Sequence, residues 1–180
     1  MLEVGLLALP VALAVAIAAA ILLFARRAQK VIAVTRESER GRQAIAELAG
    51  RADASLGRAI EPIDQLRRGL VEARVVEDDL AGAAAGIRAL EAEARDLAVP
   101  TGLVPVLAVI QDELARSDRA LSMAEHGRAI LTAARLRGRE LEAGTSVKRG
   151  YLNLLHAREA IANAAVDAAA WRSPQEARRR

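Results

Sequence analysis

The first apolar pattern in this chain is a single uninterrupted run near the amino terminus. Residues Val4 to Phe24 are 21 consecutive positions without a charged or strongly polar side chain. At 1.5 Å per residue, a helix of this length reaches about 31 Å, close to the hydrocarbon thickness of a bilayer. The pattern therefore predicts a transmembrane helix over residues 1–25.

A cleaved secretory signal is the alternative interpretation of this run. Ala18, Ala19 and Ala20 are small residues at a suitable cleavage spacing. A signal peptide, however, carries a basic region before its apolar core, and here only Glu3 precedes it. The apolar run also continues past the alanines to Phe24, which favours the membrane span.

The charges that flank the run predict its orientation. Glu3 stands before it, whereas Arg26, Arg27 and Lys30 follow it directly. Because basic flanks stay on the cytoplasmic side, we expect a single-pass protein of the cell membrane with its amino terminus outside and its carboxy-terminal domain in the cytoplasm. The same three residues, together with Arg178, Arg179 and Arg180, are candidate contacts for anionic lipid.

Beyond the run, apolar residues recur at steps of three and four, the spacing of one helix face. A first series predicts a basic juxtamembrane helical stalk over residues 26–60 that continues to about residue 98; its apolar positions are Ile45, Leu48, Ala52, Leu56, Ile60, Ile63, Leu66 and Leu70. Pro62 lies inside this series and predicts a kink or break near Arg58, since proline removes an amide donor. In the alternative, the chain breaks at Pro62 and folds back as a fourth helix.

Two turn signals divide the remainder into three helices. Val99, Pro100, Thr101 and Gly102 form the first, with Thr101 as the helix cap, and Gly144, Thr145 and Ser146 form the second. Short connections require antiparallel neighbours. We therefore predict an all-α chain, in which one amino-terminal transmembrane helix is followed by a long antiparallel helical bundle or coiled-coil-like domain. Its predicted segments are a three-helix domain over 61–172, with helices at about 61–98, 103–143 and 146–172, and a basic disordered tail over 173–180.

Composition limits the core and the chemistry of this domain. The chain contains 42 alanines but only three aromatic residues, so the predicted core consists of aliphatic side chains on closely approaching helices. There is no cysteine, which excludes disulfides, thiolate metal sites and lipid-acylated cysteine.

No constellation of residues predicts catalysis. His126 and His156 have no second histidine or glutamate at the helical spacing of a metal site, and Asp78 and Asp79 are neighbours that point in different directions. No phosphate-binding loop or nucleophile elbow is present. We expect a protein that is not an enzyme and that has no cofactor, no metal and no small-molecule substrate.

Nucleic acid is an unlikely partner. The isoelectric point is near 10.1, but the net charge is only +3, and two aromatic residues outside the apolar run are too few for a base-stacking surface.

Two features suggest self-association or a protein partner. Ala8, Ala12, Ala16 and Ala20 recur every four residues along the predicted span, a pattern that lets two membrane helices pack closely. In the stalk, Ile45, Leu48 and Leu56 have no predicted helix to cover them. We expect a homo-oligomer or a bound protein partner.

Three functional hypotheses follow. The first is a membrane-anchored, non-enzymatic helical scaffold or adaptor that presents a cytosolic coiled-coil domain. The alternative is an accessory or signalling subunit of a larger membrane complex. The third is a membrane tether for nucleic acid, which predicts DNA binding with a steep dependence on salt.

Overall fold

The computed structural model describes residues 3–133 and 138–177, and for residues 3–21, 24, 25, 27, 28, 30, 31, 175 and 176 it describes the backbone alone. The structure is all-α: it is 87% helical, and the described residues contain no strand. This confirms the predicted all-α helical bundle. The elements are α1 (Glu3–Arg67), α2 (Glu77–Asp96), a 3₁₀ turn (Thr101–Leu103), α3 (Val104–Thr132), α4 (Glu140–Ala170) and the short α5 (Pro174–Ala177).

The chain divides into two compact units. One comprises residues 1–39 and 172–180, and the other comprises residues 40–171. In the first unit, the described residues form the amino-terminal part of α1 and the single turn of α5, where a disordered tail is predicted. The Ser38 hydroxyl donates a hydrogen bond to the Val34 carbonyl at 2.9 Å, one helical turn earlier.

The predicted membrane span coincides with the part of the chain that is described least. Among the described residues, no helix is both long enough and apolar enough to cross a bilayer. Within residues 1–25, the burial of the side chain is described only for Leu22 and Leu23, which are both exposed. The rest of the predicted span, with Ala8, Ala12, Ala16 and Ala20, lies outside the described side chains.

Residues 40–171 form a four-helix bundle in which each helix is antiparallel to its neighbours. Ion pairs connect α1 to α2 through Arg51 and Glu93, α2 to α3 through Arg88 and Asp118, and α4 to α1 through Arg158 and Asp53. Between α3 and α4, the Asn153 amide lies 3.8 Å from the Met123 sulfur. The chain thus runs up, down, up and down, rather than through the predicted three helices.

The core is built from the apolar series that the sequence shows. Ile45, Leu48 and Leu56 on α1 are completely buried, as are Ile87 on α2 and Ile110 on α3. Of these residues, Ile45, Leu48 and Leu56 were expected to face a second molecule. The other helices of the same chain cover them instead.

The first helix ends at Arg67 and reverses direction between residues 68 and 76, so the predicted helix over 61–98 is wrong. Gly69 has a φ of +70°, a left-handed conformation that favours glycine. The amide of Gly69 bonds the Leu66 carbonyl, and that of Leu70 bonds the Gln65 carbonyl. This is the Schellman arrangement, which stops a helix after a left-handed residue.

Pro62 neither breaks α1 nor begins a new helix. The helix continues through it to Arg67. Ile60 and Ile63, on either side, are buried in the core. Packing of this face compensates for the hydrogen bond that proline removes. The predicted break near Arg58 is therefore wrong.

The second reversal also differs from its predicted position. α3 ends at Thr132 and α4 begins at Glu140, so Gly144, Thr145 and Ser146 lie within α4. The glycine that permits the reversal is Gly138, at a φ of +85°. Acidic Glu140 and Glu142 in the first turn of α4 favour a helix start at this point.

The remaining reversal matches the prediction. α2 ends at Asp96, and α3 begins at Val104 with Pro105 in its first turn. Thr101 starts the intervening 3₁₀ turn, but its side chain does not cap the helix. Helices α2 and α3 therefore meet at the end of the bundle that also holds Trp171, which lies against Gly102.

Candidate interaction surface

Helix α4 carries apolar side chains on two faces. Its inner face includes Val147, Leu154 and Ile161, each at most 1% exposed. Its outer face carries four large apolar residues: Leu141, Leu152, Leu155 and Val166 are 84%, 50%, 37% and 66% exposed. The outer residues belong to a second seven-residue repeat, which we call the α4 stripe; it comprises Leu141, Thr145, Lys148, Leu152, Leu155, Glu159, Ala162 and Val166.

The spacing of the stripe is that of a coiled-coil seam. Its members alternate steps of four and three over 26 residues of the 31-residue helix. Single exposed apolar residues are normal on a protein surface and carry no information. A repeat with large apolar residues at its centre and at both ends is different, because a repeat of this kind is suited to packing against another helix.

Charges lie on both sides of the apolar centre of the stripe. Leu152 and Leu155 are flanked by Lys148 towards the amino end and by Glu159 towards the carboxyl end. Both charged residues are exposed, and within residues 3–133 and 138–177 neither forms an ion pair. The stripe therefore combines an apolar centre with one free positive and one free negative charge.

Close packing against α3 fixes which face of α4 points outward. A methyl group added at Gly150 would lie 2.7 Å from the Ala120 carbonyl, and one added at Gly127 would lie 2.7 Å from the Ala143 carbonyl. Both distances are shorter than a van der Waals contact. Only glycine allows the two backbones to approach so closely, and this leaves α4 little freedom to rotate.

On its other side, α4 is attached to α1 by an ion pair. The Arg158 guanidinium donates two hydrogen bonds to Asp53, at 2.5 and 3.2 Å. These hydrogen bonds lower the pKa of the Asp53 carboxyl and raise the pKa of Arg158. The Arg67 guanidinium also stands 5.0 Å from the centre of the Tyr151 ring. Together these contacts set the register of α4 against α1.

A buried arginine connects the start of α2 to the last turns of α3. The side chain of Arg128 is only 8% exposed, and it bonds Glu125 through two nitrogens and Glu77 through a third at 2.9 Å. The hydrogen bonds that Arg128 donates to Glu125 contribute most to raising the pKa of Arg128. Because all three of its nitrogens are paired, Arg128 holds α2 and α3 together and has no free donor for a ligand.

Glu113 is the one carboxylate in the described core with an incomplete set of hydrogen bonds. Its side chain is 10% exposed, and one oxygen pairs with Arg116 at 3.1 Å. The other oxygen, Oε2, has no hydrogen-bond partner among the described residues. The Ser117 hydroxyl is occupied by the Glu113 backbone carbonyl at 2.7 Å. The arrangement therefore has no free nucleophile.

Three surface grooves have volumes suited to small ligands. One of about 310 Å³ lies between α1 and α2, beside Ser55, Gly82 and Gly86. One of about 290 Å³ lies between α2 and α3, and one of about 450 Å³ lies at the turn after α1. In the described residues, no three metal-ligating side chains come together. Asp78 and Asp79 line the first groove together with Ser55 and Arg58.

Of the predicted site residues, some are buried, one is exposed, and the others lie outside the described side chains. Ile45, Leu48 and Leu56 are fully buried within the chain, which corrects their assignment to self-association. Arg26 is exposed, and its contact with lipid stays a prediction. The side chains of Arg27, Lys30, Arg178, Arg179 and Arg180 lie outside the described residues, as do those of the four alanines of the span.

Sequence reasoning missed the α4 stripe. Leu155, Ala162 and Val166 are apolar residues of the predicted third helix, but all three are exposed. The small residues Gly150, Ala157 and Ala164 occupy the interior instead. The signal that would have revealed the stripe is the presence of two seven-residue repeats on one helix.

Comparisons with known proteins give no family for this chain. No family model, no curated protein and no solved structure matches it. Its function must therefore be inferred from its own surfaces.

Proposed function

We propose that this chain is a membrane-anchored, non-enzymatic helical scaffold that binds a protein partner through the α4 stripe. The exposed apolar repeat on α4 carries the proposal, since the other apolar series of the bundle are turned into its core. A bundle that leaves such a repeat at its surface is suited to binding another helix.

The anchor in this proposal is the apolar run from Val4 to Phe24. Its 21 residues are long enough for a span of about 31 Å. Basic residues follow it, and Arg26 among them is exposed, so the bundle would lie on the cytoplasmic side. Anchoring raises the local concentration of the stripe at a membrane surface, which favours weak protein contacts.

The anchor is tested with cysteines, because the natural chain has none. In cells that express the full-length protein, a membrane-impermeant maleimide should label Leu2→Cys directly but His156→Cys only after lysis. The protein should also resist extraction by alkaline carbonate, and the double substitution Leu13→Arg with Val15→Arg should make it extractable. Extraction of the unsubstituted chain would contradict the anchor.

The partner surface is tested by substitution at the centre of the stripe. Leu152→Asp with Leu155→Asp should abolish recovery of any protein that co-purifies with the full-length chain in mild detergent. Val109→Asp is the matched control, since Val109 is an apolar residue of α3 that is 43% exposed and lies outside the stripe. Equal recovery with all variants would show that the stripe is not the binding surface.

A further inference from the structure

We propose that the partner of the α4 stripe is the α4 stripe of a second copy of this chain, bound antiparallel. The symmetry axis would pass between Asn153 and Leu154. This inference deepens the proposed function by naming the occupant of the surface that the function requires. It rests on the order of residues along the stripe.

When two copies of the stripe are placed antiparallel, their residues form four kinds of layer, each with one residue from each copy. Under this axis, residues whose numbers add up to 307 lie opposite one another in the two copies. The layers pair Leu152 with Leu155, Lys148 with Glu159, Thr145 with Ala162, and Leu141 with Val166. Each layer occurs twice in the dimer, as a twofold interface requires.

The chemistry of the layers supports this arrangement. At the centre, four leucines from the two copies meet in the most apolar part of the stripe. On each side of them, Lys148 of one copy faces Glu159 of the other, and both are exposed and free to pair. Opposite charges next to an apolar centre are the usual determinants of orientation and partner choice between helices.

A parallel pairing of the same two stripes is disfavoured. In that arrangement each residue faces its own copy, so that Lys148 meets Lys148 and Glu159 meets Glu159. Like charges placed in contact oppose association. The two orientations bury the same apolar residues, and the charges therefore decide between them.

The size of the stripe indicates a weak dimer. Its ends, Leu141 and Val166, are 25 residues apart, which corresponds to about 38 Å along the helix. With a contact about 10 Å wide, the two copies together bury roughly 800 Å², less than a standard stable interface of about 1,200 Å² or more. Such a contact becomes populated when the molecules are concentrated.

Cysteine cross-linking tests the register directly. In an antiparallel dimer, Leu141→Cys in one copy should form a disulfide with Val166→Cys in the other when the two full-length variants are mixed in detergent. Each variant alone should remain uncross-linked. In its antiparallel dimer, the cysteine of one copy lies about 38 Å from the same cysteine of the other copy. In a parallel dimer each variant would cross-link alone, and this result would overturn the proposal.

A matched control excludes random collision. Ala46 on α1 and Val109 on α3 are exposed and lie outside the stripe. A mixture of Ala46→Cys and Val109→Cys should give less than a tenth of the cross-linked product of the stripe pair. Equal yields from the two mixtures would mean that the stripe is not an interface between copies.

Charge exchange tests the Lys148–Glu159 layers without cysteines. Lys148→Glu should weaken dimerisation of the full-length chain, on the order of tenfold, because both such layers become repulsive. Adding Glu159→Lys restores both layers and should restore the dissociation constant to within about twofold. Failure of the double variant to recover would overturn the antiparallel register, and analytical ultracentrifugation in density-matched detergent measures each case.

Two combinations of outcomes distinguish a failure of this inference from a failure of the proposed function. If Leu152→Asp with Leu155→Asp removes a different co-purifying protein while the unsubstituted chain stays monomeric, the scaffold function stands and the homodimer is wrong. If the chain is extracted by carbonate but the stripe pair still cross-links, the dimer stands and the anchor is wrong.

Discussion

Helices α3 and α4 contact each other along their backbones, whereas a surface groove opens between α2 and each of its neighbours. At the first interface, Gly127 and Gly150 each leave only 2.7 Å between an added methyl group and a carbonyl of the opposite helix. Around α2, the grooves have volumes of about 310 and 290 Å³, and Gly82 has no atom within 4 Å of an added methyl group. Both regions are rich in glycine and alanine. Small residues draw two helices together only where small residues lie opposite them.

The largest effect expected from this contrast comes from removing a core leucine in each region. Leu154 on α4 is completely buried, while Leu80 on α2 is 3% exposed and borders the 290 Å³ groove. Leu154→Ala should lower the free energy of unfolding by about 4 kcal/mol and Leu80→Ala by about 2 kcal/mol, since a site beside a groove leaves less enclosed cavity. Denaturant titration of the full-length chain in detergent, followed by circular dichroism, measures both. Equal losses would contradict the difference in packing.

A smaller effect is expected from adding a methyl group at the α3–α4 contact. Gly150→Ala should destabilise the bundle by about 2 kcal/mol, because the new methyl group collides with the Ala120 carbonyl. Gly144→Ala in the same helix is the control, since nothing lies within 4 Å of it. The control should gain about 0.5–1 kcal/mol from the higher helix propensity of alanine. Shifts of the same sign in the two variants would contradict the close approach of α3 and α4.

An added methyl group on the open side of α2 should raise the stability of the chain, whereas one at the α3–α4 contact should lower it. Gly82→Ala should stabilise the chain by about 0.5–1 kcal/mol, as helix propensity improves without a collision. Gly86→Ala should gain less, because the added methyl group would lie 3.2 Å from the Ser55 hydroxyl. Thermal unfolding distinguishes the two variants. A loss of stability in Gly82→Ala would mean that α2 packs as closely as α3.

The smallest effect concerns the Asp53–Arg158 ion pair, which fixes α4 against α1. Hydrogen bonds from Arg158 lower the pKa of Asp53 in the folded chain. The resulting stabilisation is present above the pKa of Asp53 in the unfolded chain and is lost as the pH falls through the lower, folded pKa. The side chain of Asp53 is 47% exposed, so the contribution is at most about 1 kcal/mol.

This pH effect is measured against Asp53→Asn. The difference in unfolding free energy between the two chains should be constant near neutral pH and should shrink as the pH falls below about 4. A difference that does not change with pH would show that the ion pair contributes nothing through its charge.

The faces of the first helices could be predicted from the sequence because each has a single apolar series. On α1, the repeat from Ile45 to Leu66 leaves no second choice of buried face, and those side chains are buried. On α4 the choice was open, since Leu154 and Leu155 are neighbours of equal hydrophobicity. The close contacts of Gly150 and Gly127 between α3 and α4 determine that Leu154 points inward and Leu155 outward.

The turns were harder to predict, since glycine is compatible with a helix as well as with a reversal. Gly144 and Gly138 look alike in the sequence, but Gly138 adopts a φ of +85° while Gly144 is helical. Likewise, Gly69 rather than Pro62 ends α1. The decision depends on which reversal lets the buried faces of adjacent helices meet, and this is a property of the whole bundle.

The contact between Arg42 and Trp171 has a further consequence. The Arg42 guanidinium donates a hydrogen bond to the Trp171 carbonyl at 3.0 Å, so the first and last helices of the bundle meet at one end. A short linker could therefore join residue 171 to residue 40, with new termini opened in the turn at residues 68–76. Such a circularly permuted bundle would begin with α2 and end with α1. It would keep every helix contact described above while changing the order in which the helices leave the ribosome.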